Sequence, residues 1–83
     1  MLLMEAPIEH VFRVHDGPAV KNLKELHNAI SKMSPEQFTF HTTRNGNDFS
    51  RWIRDVLLDF ECADKAEAAK SQKEVLKILR KFL

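Results

Sequence analysis

Apolar and polar positions divide the chain into a short stretch with a period of two and a longer remainder with the helical period. Val11-Phe12-Arg13-Val14-His15 alternates and is rich in β-branched and aromatic residues, the pattern of a strand. Asp16-Gly17 follows as a favoured two-residue hairpin turn. Ala19-Val20-Lys21 can pair back, and Pro18, lacking a donor, confines the returning strand to an edge. A lone hairpin is not stable in water, so it must lie on helices.

The helical period begins at Asn22. Asn22-Leu23-Lys24-Glu25 is a capping box, and Leu23, Leu26, Ile30 and Met33 form one stripe, which predicts a helix from about Leu23 to Met33 with His27 beside its buried face. Ser34-Pro35-Glu36-Gln37 is a second capping box with proline at the first helical position, opening a helix to about Thr43 that carries Phe38 and His41 on one face. The cleanest pattern lies within His41–Asp59. Phe49, Trp52, Ile53, Val56, Leu57 and Phe60 cover an arc of roughly 140° at the helical period. Asn47 is its predicted N-cap, Asp48 follows where the helix dipole favours an anion, and Asn45-Gly46 marks the preceding turn. Ser50, Arg51, Arg54 and Asp55 are expected to face outward. Asp59 caps a fourth helix with Ala63, Ala66 and Ala69 as small contact residues. Ser71-Gln72-Lys73-Glu74 opens a last helix with Val75, Ile78, Leu79 and Phe82 as its stripe.

These elements predict a mainly α fold, a compact bundle of about five short helices with a small N-terminal β-hairpin. Residues 11–83 form one helical domain, preceded by a loose segment over 1–10, where Pro7 breaks any helix. The expected core is Leu26, Ile30, Phe38, Phe49, Trp52, Val56, Leu79 and Phe82.

Composition narrows the class without naming a function. A chain of 83 residues that is 43% hydrophobic and 30% charged is an ordinary globular domain. The apolar opening Met1–Met4 is interrupted by Glu5 and Glu9, which predicts no signal peptide, and no run is long enough to span a membrane. A single cysteine, Cys62, fits a reducing compartment, so the expected location is cytoplasmic. The net charge of +1 is uneven: residues 1–64 carry seven Lys/Arg against ten Asp/Glu, and residues 65–83 carry six against two. The basic end suits an acidic partner, a nucleic acid or a solvated helix face.

Candidate chemistry is sparse. The four histidines and Cys62 show no metal-ligand spacing, so no metal is expected. Two glycines in the whole chain exclude a phosphate-binding glycine loop, and no cofactor is expected. Cys62 lies among alanines and acidic residues, which favour the thiol over the nucleophilic thiolate. His41 and Asp48 flank one turn and can meet across it, either to fix the turn or to act as an acid–base pair. The segments 35–43 and 48–58 can mimic a helix-turn-helix, but Asp48 and Asp55 on the second helix oppose DNA.

Phe12 through Asp16-Gly17, Asn22-Leu23-x-x-Leu26, Met33-Ser34-x-x-x-Phe38, His41 and Asn47-Asp48-Phe49-x-x-Trp52-Ile53-x-Asp55-Val56 together resemble a family of small archaeal and bacterial domains of unknown function. The resemblance spans residues 11–83, implies a shared fold and supplies no activity. Its pattern often has Gly where this chain has Leu58, so Leu58 is expected to continue the third helix on the face opposite Trp52. With no catalytic constellation, the expected role is non-enzymatic, a protein-interaction or regulatory module. The expected partner is another protein or a second copy of the chain; nucleic acid is the alternative, through the second helix of the turn motif or the basic C-terminal helix, and no membrane is expected. The candidate interaction surface is Arg51, Arg54, Asp55 and Leu58, with His41 and Asp48 at the turn.

Overall fold

The computed structural model describes residues 5–43 and 46–83. The apolar Met1–Met4 opening and the Arg44-Asn45 part of the turn lie outside the described residues. A short 3-10 turn, Ile8–His10, precedes an antiparallel hairpin of β1 (Phe12–Arg13) and β2 (Ala19–Val20). Five helices follow: α1 (Leu23–Lys32), α2 (Pro35–Thr43), α3 (Asp48–Asp55), α4 (Phe60–Ala68) and α5 (Gln72–Lys81). The protein is therefore a mainly α bundle with a small N-terminal β-hairpin. Among the described residues, no helix is long and apolar enough to cross a membrane.

The helix starts follow from local chemistry. Asn22, Asn47, Asp59 and Ser71 each accept a backbone N–H from the third helical residue with their side-chain oxygen, at 2.8–3.2 Å. Ser34 and Gln37 form a reciprocal box, each side chain accepting the other's N–H. Cap side chains also fasten one element to another. The Asn47 Nδ2 donates to the Ala66 carbonyl at the end of α4, 3.3 Å away. Gln72 Nε2 donates to the carbonyls of Ile30 and Met33, at 2.7 and 3.0 Å, and so fastens the start of α5 to the end of α1.

The core runs through every layer. Leu26, Ile30, Phe49, Ile53, Val75 and Leu79 are completely enclosed, each contributing about 1.5–3 kcal/mol by leaving water. Cys62, Ala63 and Ala66 are buried in α4, and their small size lets α4 lie close on α3. Phe38, Val56 and Phe82, expected in the core, are only partly buried at its edge. The segment before the hairpin is pinned too, since Ala6 N–H donates to the Lys21 carbonyl at 2.7 Å and Trp52 Nε1–H to the His10 carbonyl at 2.7 Å.

Three local expectations are corrected. The hairpin loop is not a two-residue turn at Asp16-Gly17. Val14 pairs with Pro18, leaving His15, Asp16 and Gly17 between, and the left-handed residue is Asp16 (φ 57°). Gly17 is required for space, because a Cβ there would lie 2.8 Å from Val14 Cγ1. Ser50 does not face solvent. It is 2% exposed, with its Oγ–H donating to the Asn47 carbonyl, because α4 covers a wider arc of α3 than the apolar stripe marks. Nor does Leu58 extend α3. The helix ends at Asp55, the Leu57 and Asp59 N–H groups donate back to the Trp52 and Ile53 carbonyls, and Leu58 takes a left-handed conformation (φ 59°). The reversal also turns Phe60 out of the stripe, leaving Leu58 and Phe60 57% and 59% exposed.

A leucine in the left-handed region carries a steric cost of about 1–2 kcal/mol that glycine escapes. Glycine's extra freedom in the unfolded chain offsets about half of it. L58G is therefore expected to stabilise the fold by about 0.5–1 kcal/mol, read as a higher urea midpoint at unchanged slope.

Candidate functional site

The six candidate surface residues do not form one surface. On α3, Asp48, Arg51 and Asp55 sit on the side facing β1, whereas Arg54 borders the side covered by α4. Arg54 Nη2 donates to Asp64 Oδ1 at 2.7 Å and to Glu67 Oε1 at 3.2 Å, so it ties α3 to α4. Those two hydrogen bonds, Asp64 first, raise its pKa above the ordinary value. Leu58 is exposed beyond the end of the helix.

The other four surround an open depression of about 330 Å³ between β1 and α3. Phe12, Trp52 and Val56 supply apolar walls, and Arg13, Asp48, Arg51 and Asp55 the charged ones. Arg51 Nη1 donates to Asp48 Oδ1 at 3.0 Å, one helical turn away. Arg13 was not among the candidates. The alternation of Val11-Phe12-Arg13 places it opposite buried Phe12, but its place beside α3 follows only from how the hairpin docks.

His41 lies beneath this rim and is 4% exposed. Its Nδ1 meets Asp48 Oδ2 at 3.0 Å, and its Nε2 accepts the His15 backbone N–H at 3.0 Å. An accepting nitrogen carries no proton, so the partners assign the proton to Nδ1, which donates to the carboxylate. The ring also rests 5.0 Å from Phe12 and 5.2 Å from Phe49, centroid to centroid. Both nitrogens are thus engaged, leaving no lone pair directed at a substrate. The pair expected across the turn does form, and its geometry is that of a strut joining the hairpin, α2 and α3.

Cys62 is buried at the start of α4. Burial, with the Asp59 charge beside it, pushes its thiol up to about 12. The ring nitrogens of His41 are taken by His15 and Asp48, so that histidine does not serve the thiol as a base. Among the described residues, no three His, Cys, Asp or Glu side chains converge on a possible metal position. The helix-turn-helix comparison also meets the geometry of α3: Ser50 is buried and both arginines have carboxylate partners.

Comparison with protein families, curated proteins and solved structures returns no match.

Replacing His41 by alanine leaves the His15 N–H without its acceptor and opens space between Phe12 and Phe49. H41A is expected to destabilise the fold by about 2–4 kcal/mol in urea unfolding. In the parent protein, nitrogen-15 NMR at neutral pH is expected to show a protonated Nδ1 and an unprotonated Nε2. For Cys62, a thiol held at about 12 against its ordinary 9.0 has about a thousandfold less thiolate at pH 8. Iodoacetamide is therefore expected to label the native chain far more slowly than the urea-unfolded chain. The raised value stabilises the protonated, folded form. That contribution is complete below pH 9.0 and is lost as pH climbs through about 12.

Proposed function

We propose that the chain is a non-catalytic protein-interaction module that receives a partner on the β1–α3 face. One observation carries this reading: an open depression with apolar walls and charges of both signs lies over a histidine whose two nitrogens are already used by the fold. Small-molecule sites bury most of their ligand's surface. A depression of about 330 Å³ that is open to solvent suits a protruding side chain instead, the way an anchor residue seats in a partner's pocket. Arg13, Asp48, Arg51 and Asp55 then give charged contacts of both signs around that anchor, which orient a partner more than they hold it. Neither charge sign dominates there, so the face favours a protein over a polyphosphate.

The test reverses the two exposed rim charges that hold nothing else in place among the described residues, as R13E/D55R. A protein captured by the wild-type chain from its source extract is expected to be lost by this variant at unchanged thermal stability. Equal capture by both chains, or no capture together with strictly monomeric sedimentation, would contradict the reading.

A further inference from the structure

Helix α5 carries a second surface of different chemistry. Its inner face is fixed, since Val75 and Leu79 are fully buried and Gln72 is clamped to the end of α1. Its outer face presents Lys73, Lys77, Arg80 and Lys81, all exposed. No ion pair engages any of these four among the described residues. Of the other described basic residues, Lys21, Arg51, Arg54 and Lys65 each have a carboxylate partner, while Arg13, Lys24, Lys32 and Lys70 lie outside α5.

Helix chemistry does not account for this concentration. Cations are favoured in the last turn by the helix dipole, which explains Arg80 and Lys81. Lys73 is the second residue of α5, where the dipole opposes a cation. Lys73 with Lys77, and Lys77 with Lys81, are like charges four residues apart, an arrangement that weakens a helix. Beside the basic stripe lies half-buried Leu76, and the long side chains around it enclose a depression of about 550 Å³ lined by Ser71, Lys73, Glu74, Leu76, Lys77 and Arg80.

We propose that α5 docks an acidic segment of a partner protein, with one apolar side chain of that segment seated on Leu76 and its carboxylates on Lys73, Lys77 and Arg80. The leucine decides between anionic partners. A phosphodiester backbone would use the cations and leave Leu76 uncovered, whereas an acidic peptide with a leucine or phenylalanine among its carboxylates uses both. Glu74, on the same rim, repels a continuous polyanion and leaves spaced carboxylates an approach. The surface is separate from the β1–α3 depression, so either reading can fail without the other.

The test uses the full chain and fluorescence anisotropy. The probes are a labelled helical peptide with glutamates spaced three and four apart around one leucine, the same peptide with serine in place of that leucine, and a 20-nucleotide single-stranded RNA. At about 50 mM salt, where charge attraction is least screened, the leucine peptide is expected to bind. The serine peptide, or L76A with the leucine peptide, should bind about tenfold more weakly, close to the loss from removing one buried anchor. K73E/K77E/R80E should abolish binding, and K73Q/K77Q/R80Q serves if the reversal does not fold. Circular dichroism verifies that L76A remains folded. RNA binding tighter than peptide binding and indifferent to L76A would reassign the face to nucleic acid and overturn the proposal. So would failure of the leucine peptide to bind, or sedimentation showing that a second copy of the chain occupies α5.

Discussion

The imidazole of His41 is the joint on which the N-terminal half depends. A two-residue ladder cannot hold a hairpin in place, and α2 has no strong apolar face to hold itself. One ring ties both to α3, accepting from His15 in the hairpin loop and donating to Asp48 in the first turn of α3, with Gln37 Nε2 donating to the His15 carbonyl beside it. Phe12 and Phe49 close on the ring's sides, so the polar joint sits inside the aromatic cluster. A buried polar group without partners would cost stability; here each partner is itself a group that needed one, a hairpin-loop N–H and a helix-start carboxylate.

Local rules made most of the fold legible. Each cap residue named from sequence accepts the hydrogen bond expected of it, because capping depends on residues only three positions apart. What escaped was set by neighbours far along the chain. The apolar period runs from Phe49 to Phe60, yet the helix stops at Asp55, since Asp59 must cap α4 and the chain must reverse between them. That reversal falls on Leu58, whose side chain gives no sign of a left-handed residue. Ser50 reads as polar surface until α4, brought back by the same reversal, covers it.

The candidate site was legible to the same degree and for the same reason. His41 and Asp48 meet because a turn of fixed length brings residues seven apart together. Arg54 left the expected set because its partners, Asp64 and Glu67, stand on a helix whose packing no local pattern reports. Arg13 entered it for the converse reason. Its exposure follows from strand alternation, but its nearness to Asp48 and Asp55 follows from the joint at His41.

A chain of this length buries only about 60–65% of its unfolded surface, so polar groups that can serve the fold are drawn into serving it. Asn47, Ser50, Arg54, Gln72 and His41 all do, each with a partner on another element or in a helix terminus. Against that background, a charged group left unpaired carries more weight than it would in a large protein. Lys73, Lys77, Arg80 and Lys81 share one rigid helix, and the carboxylates of α1 and α4 are engaged with other groups, Glu25 with the Lys21 N–H, Glu61 with Lys65, and Asp64 and Glu67 with Arg54, so no ion pair reaches these four among the described residues. Pairing at a surface is worth little in stability, about 0–1 kcal/mol, so stability alone neither requires nor forbids the stripe. Its cost appears only as repulsion between neighbouring lysines, and that repulsion is relieved when anions arrive. The same side chains that weaken α5 in isolation therefore favour its occupied state, and the helix is held rigidly enough by Gln72, Val75 and Leu79 to present them without rearrangement.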